Sequence, residues 1–183
     1  DAAQAATWLW ESPSVQARFE AVGTVSSRQA QDVGLVGPAA RACGLVRDVR
    51  YDHPTGWCRF AQAPVAVWPT GDVLARARVR DLEIQRSGEF LRTQLAAGAD
   101  GAPLEPLPPP APDTLALALV EGWRGEVCHV ALTGADGRFR GYKIVDPSFH
   151  NWTGLALALR GQAISDFPVN NKSFNLSYCG FDL

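Results

Sequence analysis

The chain has 183 residues, with 17 Lys and Arg against 19 Asp and Glu, a formal net charge of −2. One domain is the natural expectation at that length, and folding would remove roughly 70% of the unfolded chain's surface from water, enough for a real core. The balanced charge excludes nonspecific nucleic-acid binding, which needs a surplus of basic side chains against phosphate, and the longer uncharged stretches, such as 60–71 with its breaks at Pro64 and Pro69, are too short to span a membrane.

In chain order, apolar residues recur at helical spacing over 2–21, with an interruption at Pro13. Ser12 followed by Pro13 reads as an N-cap and a first-turn proline, which predicts two short helices. Two further helical turns are expected, one from Ser26 with Gln29 three residues on, the other opened by Pro38 and closed by Gly44. Residues 48–69 read as irregular or extended. The strongest helix is expected over 72–97, capped by Asp72 and ended by Gly98, with Val73, Ala77, Ile84, Leu91 and Leu95 on one stripe. At ~1.5 Å per residue it would be close to 40 Å long, more than this chain covers by itself, which predicts a bundle with helices outside it.

Residues 99–113 carry six prolines and read as a loop. A three-stranded antiparallel meander follows, over 115–121, 126–133 and 138–145, with bends at Gly122-Trp123-Arg124-Gly125 and at 134–137. Pro147 and Ser148 introduce a helix to about Leu159. The last 20 residues read as irregular apart from a turn near Pro168. The fold class is α+β: a mainly helical part over 1–98, the Pro-rich loop, and sheet, helix and tail over 114–183.

Four cysteines, at 43, 58, 128 and 179, form no CxxC pair and read as reduced thiols, most of them small core residues. Cys128 and His129 are strand neighbours pointing to opposite faces, so a shared metal ion is disfavoured. Cys179, within Ser177-Tyr178-Cys179-Gly180, has no local signature of a catalytic thiolate. Glu121 and Glu126 flank Arg124 on the tight bend, and the bland reading is a hairpin in which Arg124 pairs with a nearby carboxylate.

The motifs nevertheless occur in one order. They are Gly37-Pro38-Ala-Ala-Arg41-Ala-Cys-Gly44, Arg47-Asp48-Val-Arg50, Gly71-Asp72-Val-Leu-Ala-Arg76 opening the long helix with Glu83 and Ser87, Glu121-x-x-Arg124-Gly125-Glu126, Asp146-Pro147-Ser148-Phe149-x-Asn151, Leu159-Arg160-Gly161 and Ser165-Asp166. Over 23–183 this series resembles the C-terminal half of the [NiFe]-hydrogenase large subunit superfamily. It is most similar to energy-converting hydrogenase-related subunits and to the hydrogenase-like large subunit of NADH-quinone oxidoreductase, respiratory complex I. A chain that starts at Asp1 and has no methionine fits the expectation of a piece of a longer or processed protein, with Leu183 near the true C-terminus.

Hydrogenases of this superfamily close with Asp-Pro-Cys-x-x-Cys, whose thiolates hold nickel and bridge to iron. By the resemblance, Ser177 and Gly180 stand at those two positions and Leu183 at a terminal histidine, so no metal site is expected, because neither serine nor glycine replaces a soft thiolate. The resemblance implies that Ser177, Tyr178, Cys179 and Gly180 line a cofactor cavity where quinone meets the adjoining subunit. It also implies that Arg124 matches the arginine facing the iron's diatomic ligands, with Glu121 and Glu126 as companion catalytic candidates. No cofactor is expected in the chain itself. Quinone, an iron-sulfur small subunit and other subunits of a membrane-bound oxidoreductase are the implied partners, with the chain peripheral on the cytoplasmic side of the membrane and inactive alone. The alternatives are a noncatalytic scaffold subunit and an active [NiFe] hydrogenase.

Overall fold

Local signals in the sequence account for most helix starts in the computed structural model, which describes residues 2–62, 64–98 and 107–183. Helices α1 (Ala2–Trp10) and α2 (Pro13–Phe19) are separated at Ser12. Ser12 occupies the N-cap with an extended backbone, but its hydroxyl meets Ser14 Oγ at 3.2 Å instead of a helix N–H, so the fixed φ of Pro13 is what starts α2. Helix α3 (Ser27–Asp32) has a reciprocal cap: Gln29 N donates to Ser26 Oγ at 3.2 Å, and Ser26 N donates to Gln29 Oε1 at 2.9 Å. Helix α4 (Gly37–Arg41) follows.

The segment 48–69 is more ordered than its composition suggests. It holds α5 (Val49–Asp52) and a 3₁₀ turn at Gly56–Arg59, because the Asp48 carboxylate accepts from Arg50 N at 3.0 Å and nucleates a turn. Helix α6 (Val73–Ala97) starts at Asp72, whose carboxylate accepts from Ala75 N and Thr70 Oγ1, both at 2.8 Å, and from Ala21 N at 2.9 Å. It ends at Gly98 with φ 80°. The expected stripe is covered only at its start. The buried residues are Val73, Ala75, Arg76 and Val79, whereas Ile84, Leu91 and Leu95 are 46%, 57% and 80% exposed. The described neighbours cover only the first turns.

Strands β1 (Leu115–Gly122), β2 (Gly125–Thr133) and β3 (Phe139–Val145) form an antiparallel meander in the order β1-β2-β3. Helix α7 (Pro147–Ala158) is capped by Asp146, which accepts from Ser148 N at 2.8 Å. The tail is not irregular. It contains a 3₁₀ turn at Ile164–Asp166, α8 (Phe167–Phe174) and α9 (Tyr178–Phe181), with Pro168 in the first turn of α8 and Asn175 closing it at φ 55°, ψ 44°. Of the loop expected over 99–113, residues 99–106 lie outside the described residues.

One core cluster joins Val25, Leu35, Ala40 and Leu45 to Leu155 and Phe174, seating α7 and α8 on the α3–α4 region. A second joins Ala42 and Ala66 to Ala75 and Val79 of α6. Arg76 passes between them, 1% exposed. Its guanidinium donates to Gly71 O, Gly23 O, Asn170 Oδ1 and Ser173 Oγ and lies 4.3 Å above the Phe174 ring. The thiols correct the expectation of core cysteines: only Cys43 is buried, and burial pushes it up to about 11, while Cys179 is exposed.

Candidate functional site

The β1–β2 bend is held by backbone contact. Gly122 and Gly125 pair across it, leaving Trp123 and Arg124 at its tip, and Gly125 packs against Gly37 at the start of α4. A Cβ on Gly37, whose φ is 63°, would come within 2.2 Å of Gly125 Cα, so only glycine fits there. Asn151 of α7, 1% exposed, locks the junction: it accepts from Val36 N at 3.0 Å and donates to Val36 O at 3.2 Å and Arg124 O at 3.3 Å.

From this bend the three candidate residues diverge. Glu121 and Glu126 are direct cross-strand partners, an unfavourable like-charge pairing unless one is compensated. Glu121 is compensated by Arg41 of α4, which donates to it at 2.8 Å, and it accepts from Val49 N at 3.2 Å. Arg41, 1% exposed, also pairs with Asp48 at 3.2 Å and Glu83 at 3.4 Å, and Arg50 links Asp48 at 2.6 Å to Glu83 at 3.2 Å. Five charges from α4, α5, α6 and β1 therefore form one network. Burial pushes Glu121 above the usual carboxylate range against the pull of Arg41. Burial also opposes ionisation of Asp48, but the hydrogen bond from Arg50 and the nearby Arg41 charge outweigh it and hold Asp48 below that range. Glu121 and Glu126 both line a polar cleft of about 420 Å³ with His53 and His150.

Arg124 turns the other way. The expected carboxylate partner is replaced by a backbone carbonyl: Arg124 Nε donates to Asn175 O at 2.5 Å, tying the bend to the residue that opens the tail. Beside it, Arg80 of α6 donates to Arg76 O, Ser173 O and Phe174 O. Burial, with Arg41 and Arg124 near by, pushes Arg80 down to about 10. The structure thus brings Arg124 to the tail and separates it from the two glutamates. Arg41, Asp48, Glu83 and Arg80 were visible in the sequence only as motif members or helix residues, since spacing alone does not show which charges a fold buries.

In the tail, Ser177 Oγ accepts from Gly180 N at 3.0 Å and caps α9, while Ser177 N donates to Ser148 Oγ at 2.8 Å. Tyr178 is exposed and sets its ring edge-on to Trp152, with centroids 5.1 Å apart. Gly180 is buried against Asp146. A Cβ there would lie 2.6 Å from Asp146 Cγ and 2.9 Å from each carboxylate oxygen. These side chains do not fit a nickel-iron centre: the Ser177 hydroxyl is a helix cap, Gly180 has no ligand atom, and a side chain there would have to displace the Asp146 carboxylate. Among the described residues, His, Cys, Asp and Glu form no group of three able to hold a metal ion, and no helix is long and apolar enough to cross a membrane.

Known proteins share this architecture. The chain is 33% identical over 157 residues to the carbon monoxide-induced hydrogenase of Rhodospirillum rubrum, a match covering 86% of this chain and 44% of that protein. It is 30% identical over 178 residues to an NADH-quinone oxidoreductase subunit of Deinococcus radiodurans, covering 81% and 44%. The chain spans less than half the length of these curated relatives. The same fold occurs in the structure of the membrane-bound sulfane sulfur reductase, an archaeal respiratory membrane complex, with a TM-score of 0.89 and 24% identity over 97% of this chain and 50% of that one. The profile described as respiratory-chain NADH dehydrogenase, 49 Kd subunit, matches residues 2–106, more than half of the chain, and the chain belongs to that family.

Proposed function

We propose that this chain is the C-terminal part of the hydrogenase-like large subunit of a membrane-associated, multi-subunit oxidoreductase, and that it works without the nickel-iron centre of the hydrogenases. The observation that carries this reading is the contact of Gly180 with the Asp146 carboxylate, which fills the space a second ligand side chain would need. Electrons reach the complex through iron-sulfur clusters in a small partner subunit, and quinone is the acceptor in a cavity that Ser177 to Gly180 border. The chain sits peripherally on the cytoplasmic side of the membrane. Within it, Arg124 acts as a brace that positions the tail through Asn175 O, and Glu121 and Glu126 face a polar cleft suited to holding protons.

Turnover measurements on the purified native complex test the reading: quinone reduction without hydrogen uptake is expected, and hydrogen uptake would overturn it. The complete engagement of Glu121 by Arg41 and Val49 favours a second reading, a scaffold subunit with no part in chemistry. Arg124→Ala separates the two. A fall in quinone turnover with assembly intact supports the catalytic complex, and unchanged turnover and assembly support the scaffold.

A further inference from the structure

A second cavity, of about 260 Å³, lies between α4, α6 and the β1–β2 bend. Arg41, Arg80, Glu83 and Ser87 line it, with Trp123 at its edge. Four buried side-chain polar atoms lack a hydrogen-bond partner among the described residues, and three of them belong to residues lining this cavity: Arg41 Nε, Arg80 Nε and Glu83 Oε1. Buried polar atoms are normally satisfied, because an unpaired one has lost its water and gained nothing in return, so three orphans around one hole mark the outline of something that fills it.

The chemistry of the orphans defines the occupant. Two N–H donors call for acceptor oxygens, and the Ser87 hydroxyl adds a third donor. Glu83 Oε1 is paired by charge with Arg41 Nη2 at 3.4 Å but receives no hydrogen bond from it, so as an acceptor it calls for a donor on the same molecule. Charge points the same way. Arg41 and Arg50 face three carboxylates, but among the described residues neither Arg80 nor Arg124 has a carboxylate partner, and both are held by backbone carbonyls. Water alone would satisfy the hydrogen bonds and leave this positive charge uncompensated. An ionised side-chain carboxylate from elsewhere would balance the charge but offers Glu83 no proton.

We infer that the cavity is a binding site for a small oxyanion that retains one proton, of the hydrogencarbonate or hydrogenphosphate class, accepting from Arg41, Arg80 and Ser87 and donating to Glu83. This site lies apart from the tail and does not depend on the reading of the tail as metal-free.

Calorimetric titration of the intact protein tests it, with sodium bicarbonate, sodium phosphate, sodium formate and sodium chloride at matched ionic strength near neutral pH. Saturable binding of bicarbonate or phosphate is expected, the stronger of the two identifying the planar or the tetrahedral ion, with formate, which lacks the proton, and chloride at least tenfold weaker. Ser87→Ala should weaken binding about tenfold, as expected for a hydroxyl donating to a charged group. Ser87→Leu fills the cavity without touching the ion pairs and should abolish binding while circular dichroism stays unchanged. Arg80→Met is the less informative variant, because Arg80 also ties α6 to α8. No saturable binding, equal responses to all four salts, or full affinity in Ser87→Leu would overturn the assignment.

Discussion

Two sides of one bend, three residues apart in sequence, are built on opposite principles. On the Glu121 side, charges compensate one another: Arg41 and Arg50 face Asp48, Glu83 and Glu121 within ion-pair distance. On the Arg124 side, guanidinium groups are held by backbone carbonyls of the tail and α8, and positive charge is left over. The first side fixes geometry and fails if one partner is lost. The second holds the tail through directional bonds and retains a field that attracts anions.

Removing the shared cation of the compensated side should do the most damage. Arg41→Met leaves three carboxylates of the network without that cation and should cost about 3–5 kcal/mol in urea unfolding. A loss below about 1 kcal/mol would mean that the network is hydrated and not compensated internally. Next, Gly37→Ala forces a Cβ into Gly125 and should cost about 3 kcal/mol by overpacking, with the two sides of the bend loosened together. Asn151→Ala removes three hydrogen bonds at the junction and should cost about 2 kcal/mol by the same unfolding measurement.

A pH series separates two carboxylates within the network. Asp48 is held below the ordinary carboxylate range, so its stabilisation is present above the unfolded value of about 3.9 and is lost as pH falls through the lower folded value. Glu121 is raised, so its contribution is greatest in acid and is lost as pH rises through its higher folded value. Denaturant melts across that range should show a flatter acid limb in Asp48→Asn and no decline toward neutral pH from this group in Glu121→Gln. Identical profiles for the two variants would contradict the opposite signs. The smallest change is expected for Leu91→Ser and Leu95→Ser on the uncovered half of α6, within about 0.5 kcal/mol for the chain's own unfolding.

Elements with a local cause were legible in the sequence. The Ser26–Gln29 cap, the Asp72 start of α6, the Gly98 stop and the meander all rest on residues a few positions apart. Features that depend on distant partners were not. The stripe through Ile84, Leu91 and Leu95 has helical period, but what covers it decides whether it is buried, and the described residues cover only the start of the helix. The tail looked irregular because Asn170, Asn171 and Lys172 are polar, yet Asn170 and Phe174 are buried under Arg76 and order α8. At the site, the sequence pointed to Glu121, Arg124 and Glu126 as one group. It did not show that Arg41 claims Glu121 from 80 positions away while Asn175 claims Arg124.

Under the proposed function, a superfamily that includes nickel-iron enzymes contains here a chain whose tail has no place for the metal. X-ray fluorescence at the nickel edge on the purified native complex tests this most directly. No stoichiometric nickel per copy of the chain is expected, and one nickel per chain would contradict the proposal.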